Sequence, residues 1–104
     1  MRTIYTGTIY DTDKAIEVGG YDNLGDGVTA TDDLEYWIAT LYKNPRSGKY
    51  FLAGYGGPMT WFGRGKWRWK IVPVSREFAF EWAQKYLDFR TVKGEFNEIV
   101  APAC

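Results

Sequence analysis

Alternation of apolar and polar residues, the pattern of β-strands, recurs in the first three quarters of the chain. Residues 3–10 are rich in threonine, isoleucine and tyrosine, a composition typical of a first strand. Residues 34–43 and 49–55 flank residues 44–48, where proline and glycine favour a turn. These two segments therefore predict a hairpin.

The last quarter of the chain changes to helical spacing. Residues 76–87 place apolar side chains three and four positions apart, which predicts an amphipathic helix with Ser75 as its N-cap. Phe89, Val92 and Phe96 predict a second, shorter helix. We therefore predict an α+β fold in one compact domain. It has a mostly antiparallel sheet of about three to five strands, covered on one face by one or two C-terminal helices.

Between the first strand and the hairpin, the chain is predicted to be irregular. An aspartate-rich turn at residues 11–13 precedes a short helical turn over residues 13–18, which Gly19 ends. Residues 21–31 have loop composition with several aspartates. Their spacing departs from that of a calcium-binding EF-hand loop, because Leu24 stands where an oxygen ligand is needed. We therefore predict no metal site.

The stretch that follows the hairpin combines glycines, aromatic rings and cations. The glycines of residues 54–57 predict a sharply bent connector. Residues 66–72 predict another strand that ends at Pro73, with Trp67 and Trp69 facing the core and the intervening cations facing solvent. The loop between connector and strand then remains available for binding.

Charge is strongly segregated although the formal net charge is zero. Residues 11–35 hold eight acids and one lysine, whereas residues 36–70 hold seven basic residues and no acid. Such asymmetry makes two oppositely charged surfaces, unless the two segments lie side by side and neutralise each other. The sequence leaves both arrangements open.

The absence of histidine limits the chemistry most. It removes the usual general base, the Ser-His and Cys-His nucleophiles and the usual zinc sites, and the single cysteine is the terminal Cys104. We therefore expect a non-enzymatic protein with no catalytic residue, no metal and no cofactor. The start lacks the apolar run of a signal peptide, and no stretch is long enough for a membrane helix. We expect a cytoplasmic location and no membrane partner.

Several short segments within residues 10–87 carry a family resemblance. They are YDTDKA at 10–15, LYK at 41–43, GKYFL at 48–52, GYGGPMT at 54–60, IVPVS at 71–75 and EW at 81–82. This set resembles a group of small, largely uncharacterised bacterial proteins associated with plasmids, phages and integrative elements. The resemblance implies a mobile-element setting in a bacterial host cell, where small proteins without histidine often block host defences, anti-CRISPR proteins among them. The chain departs from the group at residues 92–96 (VKGEF), where the group has an acid-rich second helix.

The leading prediction is a small inhibitor that binds a host defence complex by surface complementarity and blocks nucleic-acid access or assembly. The predicted partner is a protein of the CRISPR-Cas effector subunit class. The alternative is a nucleic-acid-binding accessory protein that uses the basic aromatic segment 61–70, because cations meet phosphates and rings stack on bases. The predicted partner-binding residues form an acidic and a basic aromatic group: Asp22, Asp26, Asp32, Asp33 and Glu35, and Trp61, Phe62, Arg64, Lys66, Arg68 and Lys70.

Overall fold

The structure, a computed structural model, describes residues 1–102, and Cys104 lies outside them. Within this range the chain forms six strands followed by two helices. In order, they are β1 (Arg2–Tyr5), β2 (Thr8–Asp11), β3 (Ile16–Asp22), β4 (Trp37–Lys43), β5 (Tyr50–Gly56), β6 (Arg68–Val74), α1 (Arg76–Tyr86) and α2 (Phe89–Glu95). The predicted α+β class is confirmed, as are the β4–β5 hairpin and both C-terminal helices.

Four of the strands form one antiparallel sheet in the order β3-β4-β5-β6, so β3 and β6 are its edges. β1 and β2 pair in a separate two-stranded sheet. We call the side of the large sheet that packs against α1 and α2 the helix face, and the opposite side the hairpin face. The two faces carry different residues because side chains alternate along every strand.

The main core lies between the helix face and the two helices. Leu41 and Leu52 point from the central strands into it, where they meet Ala79 and Ala83 of α1 and Phe96, which follows α2. All five side chains are buried. The two alanines add little bulk to the packed side of α1, so the helix lies close to the sheet.

Both helices begin at residues that cap their first turn. The Ser75 hydroxyl accepts a hydrogen bond from the Phe78 N–H at 3.0 Å, and the Asp88 carboxylate accepts one from the Thr91 N–H at 2.8 Å. Each bond satisfies a backbone donor that has no partner within the helix. The first cap was predicted from the sequence and is confirmed.

The hairpin face has a smaller core of its own, built from aromatic rings. Phe51 is buried there, with Tyr42 stacked on it at 5.3 Å and Tyr10 meeting it edge-on at 5.4 Å between ring centroids. Tyr10 belongs to β2, so this contact holds the β1–β2 hairpin against the sheet. The sheet is thus covered on both faces, although only in part on this one.

The prediction of one strand over residues 3–10 is wrong. The chain reverses at Thr6 and Gly7, whose φ angles are 47° and 79°, and β1 pairs with β2 across this turn. Positive φ at both central residues is typical of a two-residue type I′ turn. The threonine and isoleucine content correctly indicated β structure, but Thr6 gave no turn signal because threonine rarely adopts positive φ.

The predicted helical turn over residues 13–18 is also wrong. This segment enters β3, and Gly19 lies inside that strand beside a β-bulge instead of ending a helix. A side chain at Gly19 would come within 3.0 Å of Leu87. The glycine therefore serves the close packing of the chain after α1 against β3, a tertiary requirement that local sequence does not express.

The two faces of β6 are the opposite of those predicted. Its register pairs Val72 with Leu52, which places Val72 on the helix face and, by alternation, Trp69 on the hairpin face. Trp69 is 58% exposed, so it is not a core residue. Pro73 also lies within the strand, where an edge position tolerates its missing N–H.

The stability of the fold is expected to fall at alkaline pH because the buried hydroxyl of Tyr50 ionises there. Burial raises the pKa of its hydroxyl well above the usual range, and a hydrogen bond donated to Glu95 adds to the shift. A raised folded-state pKa stabilises the protein below the unfolded value of about 10, and this stabilisation is lost as pH rises through the folded-state value.

We therefore expect the wild type to lose more stability than Tyr50→Phe between pH 8 and pH values above about 10. Urea denaturation of both proteins at the two pH values checks this. Equal losses in the two proteins would contradict the assignment, because the other tyrosines and the lysines titrate in both.

Candidate functional site

An apolar groove of about 390 Å³ lies on the helix face, between α1 and the loop that joins β5 to β6. Its lining combines six aromatic rings from the sheet, the loop and the helix with two other apolar and three polar residues: Asn23, Glu35, Trp37, Leu52, Met59, Thr60, Trp61, Phe62, Phe78, Trp82 and Tyr86. Met59, Trp61 and Phe78 are exposed at its rim, whereas Phe62 and Trp82 are buried in its floor. The groove is thus an open apolar surface with an ordered base.

The glycines of β5 make the floor of the groove possible. A side chain at Gly54 would stand 2.3 Å from the Phe62 ring, and one at Gly56 would stand 2.2 Å from the Thr60 hydroxyl. Phe62 therefore lies directly on the strand backbone. The prediction that these glycines form a bent connector is wrong, because both are paired residues of β5.

Backbone hydrogen bonds hold the loop over residues 57–67 in place. The Met59 N–H donates to the Leu34 carbonyl at 2.9 Å, and the Gly57 N–H donates to the Tyr36 carbonyl at 2.9 Å. Within the loop, the Thr60 hydroxyl donates to the Gly57 carbonyl at 2.8 Å. The loop is thereby tied to the segment before β4, and Trp61 and Met59 project from a fixed support.

Two of the predicted basic residues, Arg68 and Lys70, contact this loop from β6. The Arg68 guanidinium donates to the Gly63 carbonyl at 3.3 Å, and the Lys70 ammonium lies over the Trp61 ring at 5.1 Å from its centroid. A cation over an indole face is an attractive contact. Arg68 and Lys70 are half-buried, whereas Arg64 and Lys66 are exposed.

Acidic side chains flank the groove on the side of the segment before β4. Glu35 lines the groove, and its N–H donates to the Asp33 carboxylate at 2.8 Å. Asn23 fixes the same segment, since its amide donates to the Glu35 carbonyl at 2.8 Å and accepts from the Trp37 N–H at 2.9 Å. These bonds fix the backbone of Glu35, which lines the groove together with the aromatic residues.

Asp26 is joined to the same region through Tyr21. The Tyr21 hydroxyl donates to the Asp26 carboxylate at 3.0 Å, and the Tyr21 ring lies 4.8 Å from Tyr86 and 5.8 Å from Trp37 between centroids. The hydrogen bond to Asp26 raises the pKa of the Tyr21 hydroxyl. Asp26 is exposed, so its negative charge faces solvent near the groove.

Asp22 does not belong to this acidic edge. It is paired with Ile38, which places it on the hairpin face, where it accepts a hydrogen bond from the Tyr36 hydroxyl at 3.2 Å. Burial raises the pKa of Tyr36, and the bond to Asp22 contributes. Asp32 is exposed in the loop before Asp33. The acidic edge is therefore formed by Asp26, Asp33 and Glu35, with Asp32 adjoining in sequence.

The two charged segments do not neutralise each other through ion pairs. Among residues 1–102 the ion pairs are Lys43–Glu95 at 3.0 Å and Arg76–Glu98 at 2.9 Å, and neither joins the segments. The same residues contain no group of three or more acids suited to a metal ion. The two segments nevertheless adjoin, because β3 of the acidic segment pairs with β4 of the basic one.

The structure brings together part of the predicted site and separates the rest. Glu35, Trp61 and Phe62 meet at the groove, although Phe62 is buried and acts as support. The sequence interpretation missed the contribution of α1, whose Phe78, Trp82 and Tyr86 form a stripe at every fourth position. That stripe was read as core, yet its first ring is exposed at the groove.

Comparisons with known proteins add no relative: no protein-family model, no curated protein and no solved structure matches this chain. Within residues 1–102, neither helix is long and apolar enough to cross a membrane. The functional argument therefore rests on the groove and its charges.

Proposed function

We propose that this chain is a small non-enzymatic inhibitor that binds a protein of a host defence complex through the groove and its acidic edge. The partner surface it fits is basic and carries an apolar side chain, as on a nucleic-acid-binding protein such as a CRISPR-Cas effector subunit. Occupying that surface blocks access of nucleic acid or assembly of the complex. The mobile-element setting comes from the sequence resemblance alone.

One observation carries the proposal: an exposed apolar groove stands next to carboxylates that form no ion pair within residues 1–102. Protein interfaces combine an apolar centre with a polar rim, and buried aromatic anchors provide most of their binding energy. Trp61, 52% exposed over the Lys70 ammonium, is such an anchor candidate. Glu35 stands at the edge, where a partner lysine or arginine would meet it.

Electrostatics gives the acidic edge a role in selecting the partner. A patch of one sign steers a partner of the opposite sign and disfavours partners of the same sign by repulsion. Nucleic acid is repelled by Asp26, Asp33 and Glu35, whereas the basic channel that normally holds nucleic acid is attracted. The acidic edge therefore favours a protein partner over nucleic acid at the groove.

The test uses a bacterial host with active CRISPR interference and compares two charge reversals, Glu35→Lys and Asp13→Lys. Both change the net charge equally, but Asp13 precedes β3 at the end of the sheet opposite Trp37. We expect the wild type and Asp13→Lys to restore plating of a targeted phage and to co-elute with an effector subunit. Glu35→Lys is expected to bind about tenfold more weakly, a loss of about 1.4 kcal/mol.

Two results would contradict the proposal. If the wild type leaves interference unchanged across the CRISPR types of the host, the inhibitor function is wrong. If Glu35→Lys and Asp13→Lys weaken binding equally, the effect belongs to net charge and not to the groove. Circular dichroism spectra of both variants show whether they are folded before they are compared.

A further inference from the structure

The hairpin face carries an exposed row of aromatic rings that the groove does not use. Tyr55 lies between Trp67 and Trp69, with ring centroids at 5.6 Å and 5.1 Å from its own. Trp69 is 58% exposed and Trp67 is 36% exposed. Neither tryptophan lies in the core between the sheet and the helices, so their free surface needs another explanation.

Two exposed basic residues, Arg2 and Lys66, lie near this row. A cavity of about 340 Å³ beside Trp69 is lined by Arg2 from the hairpin and by residues of β6. The charged residues of its lining are all basic, although Arg68 and Lys70 direct their charged groups to the loop on the helix face. Lys66 is exposed next to Trp67 in the chain. No acid occurs between residues 36 and 70. The border of β6 beside the rings is therefore basic, while Asp11 lies opposite Arg2 in the hairpin and Asp22 lies on the same face of the sheet, two strands from Tyr55.

The position of β6 in the sheet decides what these groups can do together. In a central strand, the rings and the cations of alternating residues face opposite sides, and one ligand cannot reach both. β6 is an edge strand, so a chain-like ligand that follows the edge contacts the rings on one face and basic groups along the border. Only the sheet order reveals this arrangement.

We propose that the edge of β6 binds single-stranded nucleic acid, with bases stacked on Trp69 and Trp67 and phosphates paired with Arg2 and Lys66. Aromatic rings beside cations are the usual means of binding single strands without sequence preference. This site is separate from the groove and independent of the proposed inhibitor function.

Two other occupants fit the edge less well. A second copy paired edge to edge would bring the same cations of both chains together, because a twofold interface repeats one surface. An added peptide strand needs free backbone groups along β6, but Pro73 has no N–H and β1 lies against this strand. A nucleic-acid strand needs no backbone hydrogen bonds from β6, and its phosphates carry the charge opposite to that of Arg2 and Lys66.

The test measures anisotropy of fluorescently labelled oligothymidylate and oligouridylate, with duplex DNA of the same length for comparison. We expect binding to the single strands that quenches tryptophan fluorescence and weakens steeply with salt. Trp69→Ala is expected to weaken binding about 5- to 100-fold. Arg2→Glu is expected to weaken it and to reduce the salt slope by about one or more.

Phe89→Ala is the matched control, because Phe89 is an exposed ring on α2, far from the edge of β6 in the chain. Binding unchanged in Phe89→Ala and lost in Trp69→Ala supports the proposal. It is overturned if no single strand binds at about 50 mM salt, or if Trp69→Ala binds like the wild type. A dimer by light scattering that Trp69→Ala dissociates also overturns it, since the edge then binds a second copy.

Discussion

Gly54→Ala is expected to destabilise the protein by about 2–4 kcal/mol and to disrupt the groove. The added methyl group would lie 2.3 Å from the Phe62 ring, so the ring must leave its place on β5. Phe62 is buried, and its displacement exposes apolar surface and removes the support beneath Trp61. Urea denaturation measures the loss, and a shift in tryptophan emission reports the change at Trp61.

Gly94→Ala is the control for this substitution. Gly94 lies in α2, where an added Cβ meets nothing within 4 Å. Alanine favours a helix over glycine by about 0.5–1 kcal/mol, so this variant is expected to be as stable as the wild type or slightly more stable. Wild-type stability in Gly54→Ala would show that the ring does not rest on the strand.

Phe51→Ala is expected to cost about 3–5 kcal/mol and to release the β1–β2 hairpin from the sheet. Phe51 is buried on the hairpin face and contacts both Tyr10 and Tyr42. Its removal leaves a cavity at the contact that holds the hairpin. Hydrogen exchange is expected to increase first in β1 and β2, before the four-stranded sheet opens.

Ile9→Ala separates this effect from a general weakening of the hairpin. Ile9 is 60% exposed on β2, and its truncation is expected to change stability by less than about 0.5 kcal/mol. If Phe51→Ala does not fold, Phe51→Leu retains part of the buried volume and is expected to show the same order of exchange with a smaller loss. Uniform exchange across both sheets would contradict the docking contact.

Gly54→Ala and Phe51→Ala also test whether the two faces of the sheet bind their ligands independently. Gly54→Ala affects the groove on the helix face, whereas Phe51→Ala affects the hairpin face, where Trp69 lies. We expect the first to impair partner binding more than nucleic-acid binding, and the second to do the reverse. The same chain would then carry two separate binding surfaces on opposite sides of one sheet.

Local sequence was sufficient to predict a structural element wherever one short segment determines that element. Ser75 and the helical spacing after it predicted α1, because a cap and an apolar stripe are local properties. Proline and glycine between residues 44 and 48 predicted the β4–β5 turn for the same reason. The segregation of charge was also visible in the sequence, but the structure shows that the two segments adjoin, since β3 pairs with β4.

Tertiary structure alone decided which residues are exposed on β6 and where the groove lies. Alternation showed that Trp69 and Lys70 face opposite sides, but which side is covered depends on the register with β5 and on the position of α1. The glycines of β5 suggested a break in the strand, because their purpose, contact with Phe62, involves a ring from a different segment. The sequence by itself determined the β4–β5 hairpin, the two helices, the Ser75 cap and the charge of each segment. The fold decided the faces, the edge position of β6 and the groove, since these depend on contacts between residues far apart in the chain.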